Sequence, residues 1–322
     1  MAIKEITVVG LGGVGGYFGF KLAKAFSKNK DVAVSFIARA STYQQVKKDG
    51  LTLLSPEHPE PTIRPDFLLQ NIDELRQVDV VLICVKEYDL ENVCLQLKEK
   101  VSEDTVILPL MNGVDIYDRI RTMLPETIIL PACVYVASHI KAKGVVEHKG
   151  KPGKIVFGKD PQHPHHSPGA LIEILTEAEI QFDFKEDAFQ DIWKKFIFIA
   201  SFGLVTARYN LPIGVVNEEE ELGDIAESIM LEIKAIAARK GVGLPDNVVD
   251  LTFQKASTFP NHTPTSLQLD IHSPKPNNEL ELFAGAIFRY GEEVEVPTLR
   301  TRKIYDEIKK YCVNNKKAAW KF

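Results

Sequence analysis

Cysteine is scarce in this chain of 322 residues, and the four that occur lie far apart (Cys84, Cys94, Cys133 and Cys312). The sequence has no CxxC pair and no Cys/His spacing typical of a metal site, which excludes a small disulfide-stabilised scaffold and a thiolate metal centre. Cys84 lies in an apolar run, where we expect a buried, unreactive thiol. This use of cysteine is typical of a reducing compartment, so we expect a cytoplasmic protein.

Long apolar runs are also missing. The most apolar stretch, 196–205, has about half the length needed to span a bilayer. The N-terminus lacks a basic region, and its first apolar segment, 6–9, is too short for a signal sequence. We therefore expect no membrane anchor.

The chain has no excess of positive charge, because 39 Lys and Arg face 44 Asp and Glu, for a net charge of −5. That balance argues against bulk attraction to nucleic acid or to anionic membranes. The composition, 45% hydrophobic and 26% charged, is instead that of a globular protein. The length is sufficient for about two domains.

The first part of the chain alternates short β-rich runs with helical patterns. Its strand 78–85 is continuously apolar, as expected for a central strand covered on both faces. Alternation of strand and helix predicts parallel βαβ units. The other predicted strands are 6–9, 32–37, 51–54, 62–64, 105–108, 127–136, 154–158 and 181–184, and the predicted helices are 18–26, 88–100 and 113–121.

Helical patterns dominate after residue 185, over 187–209, 218–240, 246–257, 278–290 and 298–312. We therefore predict two domains, 1–185 and an all-helical domain 186–322. Before the boundary, 160–169 contains three prolines and three histidines (His163, His165 and His166). Because this run has no cysteine or carboxylate at ligand spacing, we interpret it as a solvated loop and expect no metal site.

A glycine-rich turn follows the first strand and opens the first helix, with the sequence Gly10, Leu11, Gly12, Gly13, Val14 and Gly15. Gly10 permits a tight turn, Gly12 lets a pyrophosphate approach the backbone, and Gly15 permits close packing of helix on strand. The helix N-terminus supplies N–H groups for the phosphates. Together these features predict an α/β fold with an N-terminal Rossmann-type doubly wound parallel sheet that binds a dinucleotide.

The end of the second strand indicates which dinucleotide. NAD-selective sites usually carry Asp or Glu there, but 35–42 has no carboxylate and contains Arg39. The planar guanidinium suits a 2′-phosphate, and Lys86 follows the strand 78–85 as a second cation. Each residue alone has the alternative interpretation of a solvated cation. Together they favour NADPH/NADP over NAD.

Asn112 lies between the strand 105–108 and the next helix, in front of Gly113. Asn-Gly at a strand end often marks only a turn. In a dinucleotide-binding fold, however, the nicotinamide half of the cofactor reaches this edge of the sheet. We therefore predict that Asn112 belongs to the site.

These residues, with Trp-Lys-Lys-Phe at 193–196 and the run 278–285, resemble the ketopantoate reductases (2-dehydropantoate 2-reductases) over essentially the whole chain. The resemblance implies a Rossmann domain joined to a helical domain. It also implies NADPH-dependent reduction of 2-dehydropantoate, a step in pantothenate and coenzyme A synthesis, with a small 2-oxo acid as the substrate. Dimers are common among such proteins, so a homodimer is a further expectation.

The resemblance also assigns roles to single residues. Lys195 matches the catalytic lysine and Glu279 its partner carboxylate. The other matches are Ser266 with a substrate-binding serine, Asn112 with an asparagine near nicotinamide and substrate, Asp270 with an acidic position of mainly structural role, and Arg39 and Lys86 with the 2′-phosphate positions.

The chemistry supports a lysine at position 195, because hydride addition to a ketone leaves a negative oxygen that an ammonium can stabilise and protonate. On pattern alone, however, Lys194 and Lys195 are two cations at the start of a helix, and the charged ends of their side chains would reach water. Glu279 and Glu281 likewise read as a solvated face. The resemblance therefore carries these two assignments.

The chain departs from the family at Ile199 and Gly203, where the family usually has asparagines four and eight residues after the lysine. That spacing places all three on one helix face. Loss of both amides replaces polar contacts with an apolar wall, which Ser201 and Thr206 would compensate only in part. This departure leaves open a reductase of a different 2-oxo acid. A non-catalytic NADP-binding sensor is a separate alternative.

Overall fold

The computed structural model describes residues 3–29, 31–58, 62–76, 78–274 and 277–319. The chain forms two compact units, Met1–Phe189 and Gln190–Phe322. The assignment of cofactor and substrate to separate domains divided at residue 185 remains a prediction.

The first unit alternates strands and helices. In chain order its strands and α-helices are β1 (Glu5–Val9), α1 (Gly13–Phe26), β2 (Ala33–Ile37), α2 (Ala40–Asp49), β3 (Leu51–Leu54), β4 (Thr62–Ile63), β5 (Phe67–Leu69), β6 (Val80–Ile83), α3 (Glu87–Leu97), β7 (Val106–Pro109), α4 (Ile116–Met123), β8 (Ile128–Ile129), β9 (Ala132–Tyr135), β10 (Ser138–Ala142), β11 (Val145–His148), β12 (Lys154–Gly158), α5 (Gly169–Glu177) and β13 (Gln181–Lys185).

Six strands form the central sheet in the order β5-β2-β1-β6-β7-β8, and every pair is parallel. With the six strands numbered along the chain, this is the order 3-2-1-4-5-6 of a doubly wound sheet. The order in which successive strands are added to the sheet reverses between β1 and β6. All four residues of β6 are buried, as its apolar run predicts. The predicted doubly wound α/β fold is confirmed.

Two smaller sheets in this unit were not predicted as sheets, with orders β10-β11-β3-β4 and β13-β12-β9. The prediction of one strand over 127–136 is wrong, because β8 belongs to the central sheet and β9 to the three-stranded sheet. Pro131 lies between them, and proline lacks the N–H that a continuing strand would need. The carbonyl oxygen of Pro131 accepts a hydrogen bond of 2.9 Å from the amide of Gly158, at the end of β12.

A buried carboxylate joins α4 to β8 and to the end of β12. The side chain of Asp160 accepts hydrogen bonds from the Tyr117 hydroxyl at 2.7 Å, the Ile129 amide at 2.8 Å and the Arg121 guanidinium at 2.5 Å. His163 Nδ1 lies 2.8 Å from the same carboxylate. The histidine-rich loop is therefore anchored by an internal carboxylate, and the described residues contain no group of three or more His, Cys, Asp or Glu placed to hold a metal ion.

Every element that the structure describes beyond residue 189 is helical, which confirms the predicted character of this region. These elements are α6 (Phe189–Tyr209), α7 (Ile213–Glu218), α8 (Glu220–Arg239), α9 (Val248–Ala256), α10 (Ser266–Ile271), a π-helical turn (Glu281–Gly285), α11 (Ala286–Glu293) and α12 (Leu299–Ala319). The short helices α7 and α10 were not predicted. Within the described ranges, no helix combines the length and apolar character that crossing a membrane requires.

Candidate active site

The central sheet brings four predicted site positions to one edge. Gly10 follows β1, Arg39 follows β2, Lys86 follows β6, and Asn112 follows β7. These four strands are adjacent and parallel, so their carboxyl ends lie along the same edge. Ligands of open α/β sheets bind at this edge, next to the point where strand order reverses.

Gly10 and Gly12 have the geometry that their predicted roles require. Gly10 has a φ of +92°, and a Cβ atom there would lie 2.9 Å from the carbonyl oxygen of Cys84. Gly12 is the N-cap of α1, and a Cβ atom on it would meet nothing within 4 Å. The space on the Cβ side of Gly12, at the helix N-terminus, is therefore open, as an approaching pyrophosphate needs.

The other residues of the glycine-rich turn pack against protein. A Cβ atom on Gly15 would overlap the carbonyl oxygen of Gly10, and one on Gly13 would lie 2.5 Å from the carbonyl oxygen of Ser138. Leu11 is buried in the core, and Val14 packs against it. Leu11 therefore has little side-chain surface to offer a cofactor, whereas Val14 is only partly buried. Binding of a cofactor at these residues remains a prediction.

Cys84 lies directly behind this turn and is 7% exposed. Burial raises the pKa of its thiol well above the ordinary value. The expectation that this thiol is buried is confirmed. All four cysteines are free thiols.

Arg39 is the N-cap of α2, and its Nη1 donates a hydrogen bond of 3.1 Å to Oδ1 of Asp89 in the first turn of α3. Its side chain is 54% exposed. A small cavity of about 60 Å³ lies beside it, lined by Val9, Gly10, Ile37, Arg39, Gln70, Asn71, Ile72, Val85, Asn92, Val93 and Gln96. Lys86 is exposed at the N-cap of α3.

Sequence reasoning missed the amide groups of this cavity and the carboxylate of Asp89. Gln70 and Asn71 follow β5, a three-residue strand that was not predicted. Asn92 and Gln96 lie three and seven residues after Asp89, so α3 presents all three on one face. That spacing is visible in the sequence of the predicted helix, and it could have identified these three residues as one polar face.

Asn112 is half-buried in the loop between β7 and α4. Gly113 has a φ of +117°, a conformation that favours glycine. The structure therefore places Asn112 at the predicted edge, in the irregular segment between β7 and α4. Its contact with nicotinamide or substrate remains a prediction.

In the second unit, Lys195 is buried and Lys194 is not. Lys195 is 8% exposed on α6, whereas the half-buried Lys194 donates a hydrogen bond of 2.9 Å to Gln190. The interpretation of a cation that reaches water therefore fits Lys194 but not Lys195. A buried charge needs electrostatic or hydrogen-bonding compensation.

Glu279 is likewise buried, at 5% exposure, directly before the helix that starts at Leu280. That helix packs against α6 on both sides of Lys195. The ring of Trp193 stacks on Tyr290 with centroids 5.8 Å apart, and Phe196 stacks on Phe283 at 6.4 Å. The two elements that carry Lys195 and Glu279 are thus packed together within one unit.

Glu281 differs from Glu279, because its side chain is partly exposed and bound to α12. It accepts a hydrogen bond of 2.6 Å from the Tyr305 hydroxyl and pairs with Lys309 at 3.0 Å. Burial alone would raise the pKa of Glu281, but these two donors outweigh it and lower the pKa below the ordinary value. The solvated-face interpretation therefore fits Glu281 in part, and fails for Glu279.

A π-helical turn, Glu281–Gly285, follows Glu279 almost immediately. A Cβ atom on Gly285 would lie 2.9 Å from Oε2 of Glu281 and 3.0 Å from Nη1 of Arg289, so glycine leaves room for these charged groups. Single π turns within α-helices occur frequently at functional sites. The π-helical turn therefore agrees with a functional role for the segment that carries Glu279.

The face of α6 beyond Lys195 is apolar. Ile199 is partly exposed, and a Cβ atom on Gly203 would lie 3.7 Å from Cβ of Leu267. Ser201 Oγ donates to the Ile197 carbonyl at 2.6 Å, and Thr206 Oγ1 to the Phe202 carbonyl at 2.8 Å. Both hydroxyls are fully buried. Thr206 Oγ1 also lies 2.7 Å from Oγ1 of Thr265. The partial compensation expected of the two hydroxyls remains a prediction.

Ser266 is exposed at the first position of α10. It directly precedes Leu267, the residue next to Gly203. The neighbouring Thr265 caps the helix by accepting a hydrogen bond of 3.1 Å from the Gln268 amide. Asp270 is half-buried in the same helix. The substrate contact of Ser266 and the structural role of Asp270 remain predictions.

Comparison with known proteins agrees over both units. Residues 6–162 match the family model "Ketopantoate reductase PanE/ApbA", and residues 187–312 match "Ketopantoate reductase PanE/ApbA C terminal". The chain is 27% identical over 269 residues to the uncharacterized oxidoreductase YkpB of Bacillus subtilis (strain 168), covering 84% of this chain and 86% of the relative.

Two further similarities extend over nearly the full length. A 2-dehydropantoate 2-reductase of Nostoc sp. (strain PCC 7120) is 23% identical over 312 residues, covering 95% of this chain and 94% of the relative. The crystal structure of a PanE/ApbA family ketopantoate reductase from Ralstonia eutropha JMP134 has a TM-score of 0.86 at 26% identity, covering 97% of this chain and 99% of that one.

Proposed function

The chain belongs to the ketopantoate reductase family, and from this we propose that it catalyses the NADPH-dependent reduction of 2-dehydropantoate to pantoate. In general terms, the chain is an oxidoreductase that acts on CH–OH groups with a nicotinamide cofactor. The observation that carries the proposal is the buried Lys195, on a helix packed against the segment that contains buried Glu279.

The residues at the sheet edge suit the cofactor. The open space at Gly12 and the N-terminus of α1 would receive the pyrophosphate. Arg39, with Lys86, would hold a 2′-phosphate, because a guanidinium can donate two parallel hydrogen bonds to it. NADPH, when bound, supplies the hydride.

The chain's own groups then manage charge and proton. In the proposed mechanism, the keto carbon gains the hydride, the carbonyl electron pair moves to oxygen, and Lys195 Nζ gives that oxygen a proton. Glu279 is the carboxylate that favours the charged lysine before transfer. Asn112 and Ser266 orient the keto acid by hydrogen bonds.

A substrate panel tests the proposal. Oxidation of NADPH is followed by absorbance with 2-dehydropantoate and with 2-oxo acids that carry aliphatic or aromatic side chains. Turnover with 2-dehydropantoate as the best substrate by kcat/KM is expected. Preference for another 2-oxo acid would contradict the choice of substrate, and tight binding of NADPH without any turnover would contradict the enzymatic proposal.

The second candidate, reduction of a 2-oxo acid with an apolar side chain, is favoured by one observation. Ile199 and Gly203 present no polar group, and the hydroxyls of Ser201 and Thr206 bond the helix backbone. A site that lacks hydrogen bonds to a substrate hydroxyl gains little from that hydroxyl. Ile199→Asn should then raise kcat/KM for 2-dehydropantoate relative to apolar 2-oxo acids, while Ile199→Val should leave the ratio unchanged.

The third hypothesis, a non-catalytic NADP-binding sensor, does not explain why Lys195 and Glu279 are buried. Burying a charge is costly, and a sensor needs neither group. We also propose that the protein acts in pantothenate synthesis and that it forms a homodimer. Its free thiols favour a location in the cytoplasm. Light scattering of the purified chain tests whether it is a homodimer.

A further inference from the structure

The guanidinium of Arg39 already has a carboxylate partner. Its Nη1 lies 3.1 Å from Oδ1 of Asp89, and the two side chains are 54% and 32% exposed. The two residues are 50 positions apart and come from different elements, the N-cap of α2 and the first turn of α3. The pair is formed at the edge where a 2′-phosphate would have to bind.

Asp89 sits where its charge acts on any anion that Arg39 binds. A phosphate on the other nitrogens of the same guanidinium would lie within a few ångströms of the Asp89 carboxylate, well inside the Debye length of about 8 Å at physiological salt. A 2′-phosphate carries nearly two negative charges, whereas a ribose hydroxyl carries none. The carboxylate therefore penalises the phosphorylated cofactor and imposes no such repulsion on its unphosphorylated counterpart.

Asp89 would have the opposite effect if it mainly held Arg39 in a productive orientation. A single hydrogen bond in an exposed ion pair contributes little, because water and salt screen it. The neighbouring acidic residue of the same turn, Glu87, is already paired with Arg119 at 2.8 Å. Water and salt screen the repulsion as well, but the phosphate carries nearly two charges and the guanidinium one, so repulsion of the dianion is the larger of the two effects.

We propose that Asp89 is a specificity-determining residue that weakens the preference for NADPH over NADH by sharing the guanidinium of Arg39 with the 2′-phosphate. The inference rests on the proposed function, in that it requires a nicotinamide dinucleotide whose adenosine half lies at Arg39. It concerns the choice between cofactors and is independent of which 2-oxo acid is reduced.

The test uses two nucleotides that differ only in the 2′-phosphate, adenosine 2′,5′-bisphosphate and 5′-AMP, titrated calorimetrically into the full chain. Asp89→Asn should tighten binding of the bisphosphate by about fivefold and change binding of 5′-AMP by less than about twofold. Asp89→Ser serves as a second variant. Glu91→Gln is the matched control, because it removes one exposed acidic group from the same helix, two residues along and hence on another face.

The same variants are then compared by KM for NADPH and NADH, where Asp89→Asn should raise the NADPH preference by the same factor. An unchanged or reduced preference in both Asp89 variants overturns the inference while leaving the proposed function in place. A bisphosphate affinity that Arg39→Gln leaves intact also overturns it, because the phosphate then binds elsewhere. Failure of the unmodified chain to bind either nucleotide would overturn the proposed function together with the inference.

Discussion

The carbonyl oxygen of Gly10 occupies the position that a Cβ atom on Gly15 would need. The first turn of α1 can therefore approach the end of β1 only because residue 15 has no side chain. Gly12, three residues earlier, is different, because its Cβ direction is open for 4 Å. One motif thus contains a glycine required for packing and a glycine beside empty space.

This contrast predicts opposite phenotypes for two alanine variants. Gly15→Ala should destabilise the fold by more than about 3 kcal/mol, because backbone atoms cannot move aside as a flexible side chain can. Gly12→Ala, at a φ of −76° that any residue adopts, should keep the unfolding free energy within about 1 kcal/mol of the unmodified chain. It should nevertheless bind NADPH much more weakly. Urea unfolding and fluorescence titration measure the two effects, and a stable Gly15→Ala variant would contradict this account.

The burial difference between two adjacent lysines predicts a catalytic difference. Lys195→Ala should lower kcat by about 10²- to 10⁴-fold, the usual contribution of a general acid. Lys194→Ala, which loses only a contact with Gln190, should retain nearly full activity. The dissociation constant of NADPH, measured by fluorescence, should stay the same in both variants. Full activity of Lys195→Ala would exclude Lys195 as the proton donor.

Features set by local geometry were predictable from the sequence. The spacing of Gly10, Gly12 and Gly15 between a strand and a helix indicates the turn that they form, and the close approach at Gly15 is to the backbone of Gly10, five residues earlier. The continuous apolar run of β6 likewise identified a central strand. Both follow from short-range rules that one sequence can satisfy on its own.

Contacts between distant segments were not predictable in this way. The pair of Arg39 and Asp89 depends on how α2 and α3 are placed by the sheet. Lys194 and Lys195 have the same side chain, and only packing against a later helix decides which one is buried. Pro131 was overlooked as the point where the chain passes from one sheet to another.

Gly203 offers a stability prediction on α6. A Cβ atom there would lie 3.7 and 3.8 Å from Leu267 atoms, in ordinary contact, so Gly203→Ala should stabilise the fold by about 0.5–1 kcal/mol. Gly16→Ala is the matched control on α1, where the new methyl group would overlap Val146, and it should be destabilising. Denaturant midpoints compare the two. A destabilised Gly203→Ala variant would mean that the helix has no room beside Leu267.

The buried Asp160 predicts a pH-dependent contribution to stability. Burial alone would raise the pKa of this carboxyl, but the hydrogen bonds from the Ile129 amide, the Tyr117 hydroxyl and the Gln162 amide outweigh it, and the pKa is lowered. A group whose pKa is lower in the folded state stabilises that state above the unfolded pKa, about 3.9 for aspartate. The contribution is lost as pH falls through the folded pKa.

Asp160→Asn should therefore lower the unfolding free energy at about pH 7 by about 3 kcal/mol, because Arg121 loses its buried charged partner. The difference from the unmodified chain should shrink at about pH 3, where protonation begins to remove the same charge. Asp183→Asn, which breaks an exposed pair with Lys154, should cost less than about 1 kcal/mol. Urea unfolding at both pH values measures these differences. A deficit of Asp160→Asn that is equally large at both would show that the carboxylate charge is not what stabilises this part of the fold.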